Sequence, residues 1–309
     1  MLRIILMIII LITAVIGKEQ KMVRFPNPEH SSVNFWKDVR FVPDPGDSTG
    51  KKGTWYGWFR QDNIDLTKME QGLIRARVEG RWQEFPIVEL PPGFLKWNFE
   101  RRLAQLAKIR EMIKNQGGEM PEIAGPHNGI VASHGLKRHD AYFTINNAVK
   151  GMGWLPKSEK LNEVMELFKR TWNDPPEKKL LVLESLYQRG AEFFDLTKQT
   201  SLELYSRPNF ETHTFLNQMN DPGVAIVFLD LPKSYELRAI AQMLHPQDPN
   251  LTDYEKQVVE YVNLVHDYFH GESPYQSIAV IYHIVQVFDN SPGRWRGQRV
   301  MPPKENSQQ

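Results

Sequence analysis

The sequence contains no cysteine. That absence excludes disulfides, thiolate nucleophiles, iron–sulfur clusters and cysteine-ligated zinc, and it removes the residue that would carry a lipid anchor at a processed N-terminus. Charge of one sign is also missing, since 38 basic residues stand against 37 acidic ones. A general nucleic-acid binder needs a net basic face to neutralise phosphates, so that class is excluded. No internal repeat and no glycine-rich phosphate loop is visible. Long apolar runs are absent too, except at the start of the chain.

That exception is Ile4 to Ile16, thirteen residues with Thr13 as the only polar member, preceded by Arg3. Spanning hydrocarbon takes roughly 20 apolar residues, whereas this length matches the core of a signal peptide. Val15 and Gly17 are the small residues a signal peptidase reads before its cut, which predicts cleavage ahead of Lys18. Residues 1–17 are therefore read as a signal peptide. The mature product is read as secreted, periplasmic or extracellular, with no membrane attachment. If the segment is retained, the alternative is a membrane-anchored subunit of an envelope complex. Loss of Arg3 leaves 37 basic and 37 acidic residues, a formally neutral chain.

What remains has the composition of a folded protein, and its length supports a core that holds without disulfides. Residues 18–52 are rich in Pro, Asp, Ser and Gly and read as an extended N-terminal arm. Residues 53–300 read as a single α+β domain, with two lobes at 53–150 and 158–300 as the alternative division, and 301–309 as a disordered tail. The strands predicted at 72–78 and 82–90 flank Glu79-Gly80, a hairpin signal. Leu95, Phe99, Leu103, Leu106 and Ile113 recur at helical spacing and predict a helix over 95–116. Four further helices are predicted over 158–171, 176–189, 234–244 and 252–270. Strands are predicted over 201–206, 210–217, 224–230 and 277–288. The turn-forming Asn220-Asp221-Pro222-Gly223 places a second hairpin near 210–230. Blocks of antiparallel strands with about five helices, and no regular βαβ alternation, define an α+β fold.

Three groups of residues could carry metal or acid–base chemistry. His266 and His270 lie four apart on a predicted helix, so their imidazoles project from one face about one turn apart, as a metal ion requires. The run His266-Asp267-Tyr268-Phe269-His270 resembles the zincin pattern over five residues, with Asp267 where the general-base Glu stands. Asp is one methylene shorter, so the resemblance implies a divalent metal such as zinc more directly than hydrolysis. The competing reading is a helix end: Thr252 and Glu255 form a capping box, Gly271 stops the helix, and histidines in the last turns meet free carbonyls. The second group is His127, His134 and His139 in a glycine-punctuated segment read as a loop, with Asp140 available to orient His139. The third is Glu211 and His213, which would share one face of a strand. His283 reads as a core histidine.

Aromatic residues suggest binding instead. In Gly53 to Arg60, Trp55 and Phe59 would lie on one strand face and Tyr56 and Trp58 on the other, so one face could stack a sugar ring or a partner protein. Arg294, Trp295 and Arg296 form a compact cationic and aromatic patch.

The leading functional expectation is an exported, non-catalytic envelope or extracellular protein that binds a protein partner or a glycan. The alternative is a metal-binding protein, in the strongest form a metal-dependent hydrolase, assembled from His134, His139, Glu211, His213, His266 and His270. Whether the chain is an enzyme is left open by its sequence. N-terminal sequencing of the exported product should start at Lys18; an intact Met1 on the exported protein would overturn the cleavage reading.

Overall fold

The computed structural model describes residues 39–46, 53–117, 124–138, 140–208, 210–293 and 297–303. Residues 1–17, read above as a signal peptide, most of residues 18–52, His139, the Arg294 to Arg296 patch and residues 304–309 lie outside the described residues.

The fold is α+β, with every strand pairing antiparallel. Its strands are β1 (Arg40–Pro43), β2 (Gly53–Tyr56), β3 (Ile64–Asp65), β4 (Leu73–Val78), β5 (Arg81–Pro86), β6 (Asn128–Ser133), β7 (Asn146–Gly151), β8 (Lys198–Glu203), β9 (Gly223–Asp230), β10 (Lys233–Leu244), β11 (Ile278–Asp289) and β12 (Gln298–Met301). The α-helices are α1 (Pro92–Lys114), α2 (Leu161–Arg170), α3 (Pro176–Gln188), α4 (Gly190–Phe193), α5 (His213–Asn220) and α6 (Asp253–His270).

The largest sheet runs β12-β11-β10-β9-β6-β7, with β8 paired to β11 beside β12. It closes on itself. Just after β7, Gly153 N–H donates to Thr200 O on β8 at 2.8 Å, and Thr200 N–H donates back to Gly153 O at 2.9 Å. The circuit β8-β11-β10-β9-β6-β7 is thus a six-stranded barrel without an open edge along it. An ion pair between Lys150 on β7 and Glu203 on β8, 2.6 Å long and almost fully buried, spans the same seam.

Strand alternation then sorts the side chains. Val131, Ile226, Leu237 and Tyr282 are buried in the main apolar core, while Ile240 and Val285 face outward against Ile74 and Ala76 of the β3-β4-β5 sheet. α1 brings Phe94 and Trp97 onto Phe228 and Tyr235, with ring centroids 5.3 to 5.9 Å apart. Asp230, at the end of β9, accepts from Trp97 Nε1 at 3.0 Å and Arg101 Nε at 2.8 Å, which anchors α1 there. α6 packs along β8 and β11, and Tyr261 donates its hydroxyl to Trp154 O at 3.1 Å.

Two expected elements are of the opposite type. Residues 234–244 form β10, not a helix, because this segment is the central strand bonded to β9 on one edge and β11 on the other. Two complete ladders outweigh the local preference of Glu, Leu, Arg, Ala and Gln for helix. Residues 213–220 form α5, not a strand, because Thr212 Oγ1 accepts from Phe215 N–H and caps the helix. The second hairpin therefore joins β9 to β10 across Leu231-Pro232, and the predicted pairing of 210–217 with 224–230 does not form.

The capping box of α6 is present: Thr252 Oγ1 accepts from Glu255 N–H at 3.2 Å, and Glu255 Oε2 accepts from Thr252 N–H at 2.8 Å. Thr252→Ala should cost about 1 kcal/mol of stability, as N-cap removal usually does. Urea unfolding measures it, and an unchanged midpoint would mean the cap is not what holds this end of α6.

Candidate functional site

The histidines singled out from the sequence occupy separate places. His213 is the first residue of α5, and its Nε2 lies 3.2 Å from Asp140 Oδ1. Asp140 also accepts from Arg138 Nε at 2.7 Å and Nη2 at 2.6 Å, and Arg138, then His213, holds its carboxyl well below the ordinary carboxylate range. Glu211 does not share a strand face with His213, since the helix cap Thr212 intervenes; its backbone O accepts from Arg138 Nη1 at 2.7 Å and its side chain is buried. His134 Nε2 sits 3.8 Å from Asp221 Oδ2, at the far end of α5. Eight helical residues span about 12 Å, so α5 keeps the His134 pair and the His213 pair apart.

His266 and His270 do stand together, with ring centroids 4.9 Å apart. His266 Nδ1 is 3.1 Å from Asp267 Oδ1, the same oxygen that accepts from Ser273 Oγ at 2.5 Å. Serine, histidine and aspartate are all present, but the serine hydroxyl donates directly to the carboxylate. A nucleophilic triad needs that proton directed at the imidazole, so this trio ties down the chain leaving α6. Among the described residues no group of three or more His, Asp or Glu is gathered to hold a metal ion.

The aromatic strand is divided as its alternation implies, although β2 ends at Tyr56 and Gly57 turns at φ 74°. Trp55 and Phe59 are buried, both edge-on to His245 with centroids 4.9 Å away. Tyr56 and Trp58 are exposed. Tyr56 lines an open groove of about 690 Å³ together with Val42, Asp44, Thr54, Glu272 and Ser273.

The most conspicuous surface lies on residues the sequence did not single out. On the outer face of β7, β6 and β9, Val149 is the cross-strand partner of Ile130, which in turn faces Val227. Val149 is 66% exposed, Ile130 39% and Leu229, two positions beyond Val227, 48%. The segment entering β7 adds Tyr142, Phe143 and Ile145, and the β9–β10 turn adds Leu231, all more than two thirds exposed. Beside the face runs the ion pair Arg238–Glu236 at 3.0 Å, whose residues are the β10 partners of Ala225 and Val227. The missed signal was the strand period of Ile130, Ala132, Asn147 and Val149, hidden in segments where no strand was predicted.

No protein-family model and no curated protein matches the chain. Solved structures similar to it include HupZ from Group A Streptococcus, 13% identical, with 62% of this chain and 98% of that one covered at a TM-score of 0.30. A single-substitution variant of the same protein matches at 13% identity over 53% and 89% of the two chains, with a TM-score of 0.28. A likeness at that level transfers nothing to the site.

Buried histidines set the pH response. Burial pushes His245 down to about 3, and burial followed by the nearby Lys198 does the same to His283. The ordinary value is 6.5, so the unfolded chain takes up these protons first as pH falls. Their stabilising contribution is complete above pH 6.5 and is lost progressively toward pH 3. Each steepens the loss by up to about 1.4 kcal/mol per pH unit. Urea unfolding at neutral and mildly acidic pH should show the decline, and His283→Gln should flatten it; equal slopes in both proteins would count against this account.

Proposed function

We propose that the protein is a non-catalytic binding protein, acting outside the cytoplasm after loss of its leader, whose docking surface is the outer face of β7, β6 and β9. The observation that carries this reading is the continuous apolar row Val149, Ile130, Val227 and Leu229, left open to solvent on a barrel whose other outward apolar residues, Ile240 and Val285, are covered. The largest apolar patch on a typical soluble monomer is roughly 300–600 Å² and is often functional. Soluble monomers seldom leave more than that idle, and a stable interface takes about 800 Å² from each partner.

The occupant is a second copy of this chain. Two-fold association presents one patch to itself, so a suitable patch is apolar at its centre and carries both signs of charge at its rim. The Arg238–Glu236 pair supplies both signs. Near-neutral overall charge adds no long-range repulsion between copies.

Sedimentation velocity at micromolar concentration should find a dimer. Val149→Glu, at an exposed position, should give a folded monomer whose melting temperature no longer rises with protein concentration. A wild-type chain that stays monomeric as its concentration rises would refute the proposal, as would a dimer indifferent to Val149→Glu.

A further inference from the structure

α1 carries three arginines whose surroundings the barrel makes unequal. Arg101 is paired with Asp230, and Arg110 with Glu184 at 2.7 Å. Arg102 has no carboxylate within ion-pair distance among the described residues. Its partners are the buried Tyr187 hydroxyl on α3 and, at a long 3.5 Å, Gln105 Oε1, and its Nε is buried without an acceptor. A buried guanidinium with unfilled donor capacity is costly unless an anion completes it.

A second unfilled donor lies one turn away. Asn98, 1% exposed, spends its Oδ1 on Trp154 Nε1 at 3.1 Å, and its Nδ2 has no partner. Residues four apart on a helix have Cβ atoms about 5–6 Å apart on one face, so Asn98 and Arg102 are carried on the same face of α1. Nearby, His127 Nδ1 donates to Met152 O at 2.9 Å, leaving Nε2 without its proton. The Arg102 charge, followed by burial, drives His127 down to about 3. Arg102 and His127 are partly exposed as residues, while Asn98 and Tyr187 are buried.

We infer that Arg102, Asn98 and Tyr187 form a binding site for a small oxyanion, a carboxylate or a phosphate ester carried by an organic ligand. A planar fork and an amide N–H₂ suit two oxygens of such a group, with charge-assisted bonds at the guanidinium. This site is independent of the docking face, and each proposal can fail without the other.

The test uses inorganic phosphate and acetate, titrated separately against the mature chain by calorimetry and thermal unfolding, with chloride at matched ionic strength as the control. A saturable rise in melting temperature with phosphate alone identifies a phosphate-ester site, and with acetate alone a carboxylate site. Arg102→Gln should weaken the effective anion about ten-fold or more, as loss of a charged donor does. Asn98→Asp keeps the acceptor for Trp154 and gives Arg102 an internal counter-ion, so it should raise the melting temperature without anion and abolish the response to anion. A wild-type chain that ignores both oxyanions would overturn the inference, and so would an Asn98→Asp variant that still binds like the wild type.

Discussion

Everything in this molecule depends on the contact between Gly153 and Thr200, where two reciprocal backbone hydrogen bonds turn an open sheet into a barrel. An open sheet has two faces of similar standing, whereas a closed one has an inside that must be filled and an outside that need not be. Filling constrains the seam. A Cβ on Gly129 would stand 2.7 Å from Met152 Cγ and 2.8 Å from Ile226 Cγ2, so a bare backbone there lets Met152, just after β7, pack across β6. Covering is uneven: a small sheet and α6 shield β10 and β11, while β7, β6 and β9 keep an apolar exterior. The docking face follows from closure combined with incomplete covering.

The same geometry explains why so many titratable groups serve structure. His283 projects outward from β11 and donates to Gln242 Oε1 at 2.9 Å, and Gln242 Nε2 donates to Glu255 at 2.7 Å. Glu255 is also the second half of the α6 capping box, so one carboxylate joins a helix end to two barrel strands. A polar network of this kind specifies register and orientation, and within it only His283 Nδ1 is left buried without a partner. Groups already spent on one another in this way have little left for a ligand. The residues worth attention are those with capacity left over.

Legibility in the sequence followed the range of the interactions. The turn of the β4–β5 hairpin was read in place, with β5 ending four residues short of the expected 90, and the helices starting at Pro176 and Asp253 and β11 were read within a residue or two, because caps, turns and periodicity are local. β10 was misread because its alternation of Tyr235, Leu237, Ala239, Ala241 and Met243 is written in residues that also favour a helix, and only its two neighbouring strands decide. β6 was taken for loop because glycines punctuate its segment, although Gly129 is there for a close approach that no local rule anticipates, and β7 was assigned no element. The burial of Trp55 and Phe59 and the exposure of Tyr56 and Trp58 followed from alternation alone; which face was the core did not.

α1 carries this contrast furthest. Arg101 and Arg102 are adjacent and chemically identical. A helix turns about 100° per residue, so neighbours cannot share an environment once the helix is docked. Docking by Phe94 and Trp97 against Phe228 and Tyr235 fixes the rotation of α1. That rotation hands Arg101 the Asp230 carboxylate and turns Arg102 toward Tyr187, on the face of α1 that also carries Asn98. The packing that stabilises the helix is thus what leaves Arg102 without a counter-charge among the described residues, and the proposed anion site gives that charge a use where leucine or methionine would pack more cheaply. The use most consistent with two orphaned donors on one helical face is a ligand that brings the missing anion.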